Sequence, residues 1–105
     1  MQLKIHPDAE EELFQGAVWY DDRRLGLGDE FLAHIYRWLD VVLESPGTWP
    51  LWPSTPRELI PPIRRVVVDR FPYLIAYQVF SEYVLILAVA HSRRSPQYWL
   101  VRAVQ

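Results

Sequence analysis

The chain has 105 residues with no cysteine, and half of the residues are hydrophobic. This length predicts one domain, placed at residues 1–105, and excludes a cofactor domain joined to a substrate domain. The lack of cysteine excludes disulfide scaffolds, thiolate zinc sites and cysteine nucleophiles. No apolar run reaches the roughly 20 residues of a membrane helix, and Met1–Ile5 lack a signal-peptide pattern. We therefore expect a cytoplasmic protein without membrane association.

The net charge of −2 combines an acidic N-terminal part with a basic C-terminal part. Residues 1–59 contain eleven acids and five bases, whereas residues 60–105 contain two acids and six arginines. Guanidinium groups bind phosphate and carboxylate through paired hydrogen bonds. The basic part therefore predicts either a site for an acidic partner or nucleic acid, or a simple solvated face.

A strand and a helix are predicted at the start of the chain. Residues Gln2–His6 alternate apolar and polar side chains, as in a short strand. Pro7 and the acidic residues after it favour the start of a helix, which continues to about Arg24. The predicted buried stripe of this helix consists of Ala9, Leu13, Ala17 and Tyr20.

A second helix is predicted to follow after a short break. Gly26 and Gly28 are expected to end the first helix, and Asp29 to open the second, which stops near Ser45. Its predicted buried face consists of Phe31, Ile35, Leu39 and Val42. Two helices joined by so few residues form an antiparallel hairpin.

Residues 45–62 predict a loop because they contain six of the nine prolines. Proline removes backbone donors and blocks helix formation. Trp49 and Trp52 lie in this loop. The loop is interpreted either as a rigid connector whose tryptophans pack on the core or as a platform for a ligand.

Three apolar strands are predicted after the loop, at Ile63–Val68, Leu74–Phe80 and Tyr83–Ala90. Only Ser81-Glu82 separates the last two, which predicts a tight hairpin. Their nearly continuous apolar character predicts burial on both faces.

The order of elements predicts an α+β domain. It consists of an N-terminal strand, a two-helix antiparallel hairpin and three antiparallel strands, with the helices on one face of a small sheet. The first strand is expected to insert beside a later strand. The tail, Ser95–Gln105, is expected to form a short final turn.

No pattern predicts a metal or a cofactor. The three histidines are far apart in sequence, and neither a phosphate-binding loop nor a dinucleotide-binding glycine motif is present. The adjacent residues Glu10–Glu12 point around a helix and cannot converge on one ion. We therefore expect no metal and no cofactor.

The end of the last strand carries the residues best suited to chemistry. His91 is a candidate acid or base, Arg93 and Arg94 are candidate phosphate ligands, and Tyr98 is a candidate for proton transfer. The alternative is structural. In that case His91 caps the strand edge, the arginines pair with the acidic part, and Tyr98 and Trp99 pack over the helices.

Three segments resemble the RelE/ParE superfamily, the toxins of type II toxin–antitoxin (plasmid stabilisation) modules. The resemblance covers nearly the whole chain. The matching residues are His6–Leu13 with Trp19 and Tyr20; Gly26–Gly28 with Phe31 and Leu32; and Ile63–Arg65, Phe71–Tyr73, Tyr77, Ala88–His91, Arg93, Arg94, Pro96, Tyr98, Trp99 and Arg102. The resemblance implies a helical hairpin on a small antiparallel sheet, in a bacterial or archaeal cytosolic protein held inactive by an antitoxin.

Two activities occur in this superfamily. RelE-like members are ribosome-dependent mRNA endonucleases that use basic residues on the sheet, whereas ParE-like members lack these residues and poison DNA gyrase by binding. In this sequence Leu74 and Ser92 occupy positions where RelE-like toxins carry arginines, and Arg65 with Val67 stand for two lysines. Only Tyr98 matches directly, so the resemblance favours the ParE-like branch.

The expected function is therefore a ParE-like toxin that binds DNA gyrase and is neutralised by a cognate antitoxin in a hetero-oligomer. Antitoxin docking is expected at the groove of the helical hairpin together with the arginines. The residues expected to bind the target or the antitoxin are Arg64, Arg65, Arg93, Arg94, Tyr98 and Trp99. The first alternative is a RelE-like endoribonuclease acting on the ribosome and mRNA through Arg65, His91, Arg94 and Tyr98. The second is an inactive homologue that only binds an antitoxin.

Overall fold

The computed structural model describes residues 1–53, 59–95 and 97–103. Its elements are β1 (Gln2–Ile5), α1 (Pro7–Arg23), α2 (Leu27–Glu44), β2 (Ile63–Val67), β3 (Tyr73–Val79), β4 (Tyr83–His91) and a 3₁₀ helix (Tyr98–Arg102). The predicted α+β class and the order of elements are confirmed. Parts of the predicted proline-rich loop and tail, at 54–58, 96 and 104–105, lie outside the described residues. No helix in the described ranges has the length and apolar character needed to cross a bilayer.

The sheet has four strands in the order β1-β4-β3-β2. As predicted, β1 lies beside a later strand, and it runs parallel to β4, with Gln2 opposite Tyr83. The other two pairings are antiparallel. The tight turn at Ser81-Glu82 is confirmed, since the Phe80 N–H donates to the Tyr83 carbonyl at 2.8 Å. The rings of Phe80 and Tyr83 stack with centroids 4.7 Å apart, which supports a turn sequence that is not a favoured hairpin pair.

The sheet is buried on both faces. The helical hairpin covers one face, and both predicted helix stripes are buried there. The loop and the 3₁₀ helix cover the other face, where Trp52 and Trp99 meet edge-to-face with ring centroids 4.7 Å apart. The interpretation of Trp52 as a core residue of a rigid connector is confirmed. Trp99 does not pack over the helices, because the sheet lies between them.

Gly28 lies inside α2, so the prediction that it breaks the helical pattern was wrong. Its N–H donates to the Asp21 carboxylate at 2.8 Å. A β-carbon at Gly28 would lie 2.3 Å from the Ala17 carbonyl oxygen. The glycine therefore lets α2 approach the backbone of α1. The turn itself depends on Gly26, whose φ of 91° is in the left-handed region.

Asp69, in the turn between β2 and β3, is hydrogen-bonded to two side chains of α2. The Trp38 indole N–H donates to its Oδ1 at 2.9 Å, and His34 Nε2 lies 2.8 Å from the same oxygen. Arg37 Nη2 lies 3.2 Å from His34 Nδ1. Because a guanidinium can only donate, Nδ1 accepts, and the neutral ring carries its proton on Nε2 and donates to Asp69.

This contact predicts a pH-dependent stability difference. The indole of Trp38 and then the imidazole of His34 hold the pKa of Asp69 below its usual value. A lowered pKa stabilises the fold above the unfolded-state pKa, and this contribution is lost as the pH falls through the folded-state pKa. The unfolding free energies of wild type and Asp69→Asn should therefore differ at pH 6 and converge below about pH 4. Urea denaturation at several pH values measures this difference.

Asp22→Asn is the matched control, because the Asp22 carboxylate accepts no hydrogen bond from the described chain. Equal pH profiles of the two variants would contradict the prediction.

Candidate functional site

His91 is the last residue of β4, and its ring contacts two neighbouring groups. Its Nδ1 accepts from the Arg93 N–H at 3.1 Å. The ring meets Tyr73 edge-to-face, with centroids 5.3 Å apart. The capping role considered for His91 is therefore observed. The side chain of Arg93 is exposed and forms no ion pair within the described ranges.

Glu12 on α1 holds the C-terminal segment. Its carboxylate accepts from the Tyr98 hydroxyl and, at 3.1 Å, from the Val89 N–H. Arg102 Nη1 lies 3.1 Å from Glu12 Oε1, and the two side chains are only 12% and 10% exposed. Glu12 therefore joins α1 to β4 and to the 3₁₀ helix through buried charge-assisted contacts.

Arg94 lies at the exposed side of this cluster. Its Nη1 is 3.9 Å from Glu12 Oε2, and its guanidinium carbon is 3.9 Å from the centre of the Tyr98 ring. The interpretation that the arginines pair with the acidic part is confirmed for Arg94 and Arg102. It does not hold for Arg93.

Tyr98 is poorly suited to proton transfer near neutral pH. Burial raises the pKa of Tyr98 well above its usual value, and the hydrogen bond to Glu12 raises it further. The phenol therefore stays protonated and donates to the carboxylate. A general base needs a pKa near the working pH, so this tyrosine serves better as a structural donor.

Two clefts meet at the end of β4, one on each face of the sheet. The helix-side cleft, of about 380 Å³, lies against α1, and its walls include Gly16, Trp19, Tyr20, Tyr73, His91 and Arg93. The sheet-side cleft, of about 200 Å³, lies on the other face, and its walls include Arg65, Leu74, His91, Ser92, Arg94 and Tyr98. The structure therefore brings all the candidate nuclease residues to the sheet-side cleft. The same cleft contains Leu74 and Ser92, at the positions where RelE-like toxins carry arginines.

The comparison with solved structures finds a chain with a similar fold. No protein-family model and no curated protein matches the sequence. A chain of the chromosomal ParDE toxin–antitoxin system from P. aeruginosa aligns with a TM-score of 0.73 and 17% identity. The alignment covers 87% of this chain and 95% of that chain. The fold is ParE-like.

The ParE-like fold separates the six predicted binding residues. Arg64 donates to the Trp49 carbonyl at 2.6 Å, whereas Arg65 lies 5.8 Å from the centre of the Trp52 ring in the sheet-side cleft. Neighbouring residues of a strand face opposite sides of the sheet, so these two arginines do not share a surface. Trp99 is 1% exposed and is a core residue, not an exposed contact. Of the six, Arg94 and Tyr98 lie at both clefts around the end of β4, with Arg93 beside them in the helix-side cleft and Arg65 in the sheet-side cleft.

The helical hairpin of this ParE-like fold also presents apolar side chains to solvent. Phe14 and Val18, one turn apart on α1, are 64% and 46% exposed. Such a stripe on the outer face of a helix suits contact with another protein. It lies on the hairpin that the sequence analysis expected to dock an antitoxin.

The sequence analysis missed Glu12, Tyr20 and Tyr73 as site residues. Glu12 had a detectable signal, since it lies three residues after Ala9 and four before Gly16, both of which are buried. That spacing places it on the flank of the buried stripe, whereas Glu10 and Glu11 are exposed. Tyr20 and Tyr73 were treated as core and motif residues, and their polar ends were not considered.

Proposed function

We propose that this chain is the toxin of a type II toxin–antitoxin module and acts in the manner of ParE-like toxins. The observation that carries the proposal is the similarity in fold to a chain of a ParDE toxin–antitoxin system over most of both chains. The resemblance of the sequence motifs to the RelE/ParE superfamily is an independent line of support. The proposed location is the bacterial or archaeal cytoplasm.

The proposed target is DNA gyrase, inhibited by binding rather than by cleavage of RNA. Support comes from the sheet-side cleft, where Leu74 and Ser92 supply no charge. Cleavage of RNA requires stabilisation of negative charge on the reacting phosphate, and loss of one preorganised donor costs roughly 10²–10³ in rate. A nuclease also needs a group that accepts a proton near the working pH. The raised pKa of Tyr98 makes this tyrosine poorly suited to that role.

The proposed partner is a cognate antitoxin that binds the helical hairpin and the arginines near β4, forming a hetero-oligomer. Phe14 and Val18 offer exposed apolar area on α1. Arg93 offers a guanidinium without an ion pair in the described part of the chain. A segment that combines apolar and acidic residues would complement both features, and its charge would speed association.

An endoribonuclease is the alternative that one observation favours. Arg65, His91, Arg94 and Tyr98 line one cleft of about 200 Å³. A nuclease needs its proton-transfer and phosphate-binding groups in one cleft, as they are here, although Leu74 and Ser92 supply no charge. The further alternative, an inactive homologue that binds only an antitoxin, shares the same fold.

Pulse labelling after induced expression without an antitoxin tests the target. Thymidine and leucine incorporation are followed in the same culture. If gyrase is the target, thymidine incorporation is expected to fall first. An earlier fall in leucine incorporation would instead identify translation as the target and support the nuclease. Unchanged growth, with the folded protein detected in the cells, would contradict a toxin and support the inactive homologue.

Single substitutions separate binding from cleavage. His91→Ala and Arg94→Ala are expected to leave growth inhibition within about tenfold of wild type, because fewer than about 30% of interface residues cost more than about 1 kcal/mol when truncated to alanine. A nuclease that used either group would lose a factor of about 10² or more from one change. The measurement is the inducer concentration that halves the growth rate. Lys4→Ala, opposite Leu85 and along β4 from His91, is the control, and circular dichroism checks that each variant is folded.

A further inference from the structure

The helix-side cleft contains Trp19, Tyr20 and Tyr73, which the proposed toxin function does not use, beside arginines that are also proposed to contact the antitoxin. It lies between α1 and the end of β4, and its volume of about 380 Å³ is in the range of sites for small ligands. Its floor is formed at Gly16, where a β-carbon would lie 3.1 Å from the Tyr73 hydroxyl oxygen. The same β-carbon would lie 2.8 Å from the Phe31 ring, so the glycine both allows Phe31 to pack against α1 and leaves the Tyr73 hydroxyl beside the cleft.

Two buried tyrosines in this cleft have unpaired hydroxyl groups. Tyr20 and Tyr73 are each 9% exposed, and neither phenol forms a hydrogen bond with another group of the described chain. Both hydroxyl oxygens remain in contact with solvent, since Trp49 Nε1 is the one fully buried side-chain polar atom without a partner among the described residues. Burial raises the pKa of Tyr73 to about 12, so its hydroxyl remains a neutral donor at physiological pH. The cleft therefore offers hydrogen-bonding groups that the protein itself leaves unused.

The charge at the mouth of the cleft favours an anion. Arg93 is exposed and without an ion pair in the described ranges, and Arg94 and His91 lie beside it. Glu12 also lines the cleft and contacts Arg102, Tyr98 and, at 3.9 Å, Arg94, so Arg93 is the guanidinium at the mouth that has no ion pair within the described ranges. Two guanidinium groups with a neighbouring imidazole are typical ligands of phosphate.

The opposite wall offers an aromatic surface. Trp19 is 51% exposed and lines the cleft. The Arg23 guanidinium carbon lies 3.2 Å from the centre of its ring, which holds the indole in place. Nucleobases stack on such rings, and the contact is tolerant of the identity of the base. Candidate anion ligands and a stacking surface thus line the same cleft.

We propose that the helix-side cleft binds a nucleoside monophosphate, with the base against Trp19 and the phosphate at Arg93 and Arg94, beside the Tyr73 hydroxyl. The binding uses side chains and needs no glycine-rich phosphate loop, which the sequence lacks. The site lies mainly on the helix side of the sheet, and it shares His91, Arg94 and Tyr98 with the sheet-side cleft. It does not depend on the toxin being active or on its target.

A nitrogen–proton NMR titration of the full chain tests this inference. The probes are AMP, adenosine and inorganic phosphate. AMP is expected to bind with a dissociation constant of about 1 mM or below, shifting the backbone signals of Trp19 and Arg93. Adenosine and phosphate are each expected to bind at least about tenfold more weakly, because each occupies only one half of the cleft.

Three variants locate the binding. Arg93→Gln should weaken AMP binding about tenfold through loss of a charge-assisted contact. Tyr73→Phe should weaken it about threefold to tenfold, and it removes an oxygen with no partner in the described protein, so the fold is retained. Lys4→Gln removes one positive charge opposite Leu85, along β4 from His91, and should leave the affinity unchanged.

Other outcomes overturn the inference. The absence of saturable shifts with AMP would mean that the cleft is not a nucleotide site. Equal affinity for phosphate and AMP would reveal a simple anion site. Equal weakening by Lys4→Gln and Arg93→Gln would reveal non-specific attraction. Binding of a single-stranded oligonucleotide without binding of AMP would assign the surface to a nucleic acid strand instead.

Discussion

Glu12→Ala is expected to lower the free energy of unfolding by about 3–5 kcal/mol, the usual cost of leaving one member of a buried ion pair without its partner. Arg102, which is 12% exposed, would keep only the Asp8 carboxylate, 3.7 Å from its Nε and itself exposed, and the Tyr98 hydroxyl would lose its acceptor. The Val89 N–H would lose an acceptor as well. Urea denaturation followed by tryptophan fluorescence measures the loss.

Glu10→Ala is the matched control, because Glu10 is an exposed glutamate on the same helix. It is expected to change stability by no more than about 0.5 kcal/mol. Combining Glu12→Ala with Arg102→Met should recover part of the lost stability, since the uncompensated charge is then removed. A similar small loss for Glu12→Ala and Glu10→Ala would show that the cluster does not hold the 3₁₀ helix on α1.

Gly28→Ala is expected to destabilise the fold by about 3 kcal/mol, at the upper end of the range for overpacking. The new methyl group would lie 2.3 Å from a backbone oxygen of α1, at Ala17, and 2.8 Å from the Asp21 carboxylate. A backbone atom cannot move aside as a side chain can. The helices must therefore separate, which would also weaken the hydrogen bond from Gly28 to Asp21.

Gly47→Ala provides the comparison for this variant. A β-carbon at Gly47 would meet no atom within 4 Å, and the residue does not have a positive φ. Its expected change in unfolding free energy is about 0.5 kcal/mol or less. Chemical denaturation of both variants at one pH makes the test. Equal stability of Gly28→Ala and Gly47→Ala would contradict the close approach of the helices.

The elements of the fold were predictable because each carries a local signal. The spacing of Leu13, Ala17 and Tyr20 predicts the buried stripe of α1, and the structure shows these side chains buried. Gly28 was misread because a glycine indicates either a break or a close contact, and the sequence does not distinguish the two. Only the position of Ala17 on the facing helix decides between them.

The site was predictable in its location but not in its contacts. The end of β4 follows from the polar residues after an apolar strand, and His91 and Arg94 do meet there. The partner of Tyr98 is Glu12, 86 residues earlier in the chain. No local pattern gives a pairing over such a distance. The assignment of Trp99 to a binding surface failed for the same reason, because its neighbour Trp52 lies in the proline-rich loop.

The parallel pairing of β1 with β4 determines when the chain can fold during its synthesis. Gln2–Ile5 have no strand to pair with until Tyr83–Ile86 have been made. Contacts between distant parts of a chain form late, because the loop between them must first be closed. Until then the apolar stripe of α1 has no sheet to cover it. A chain that stops before β4 should therefore stay unfolded and open to proteolysis, and the clefts at the end of β4 form only after Tyr98 has been made.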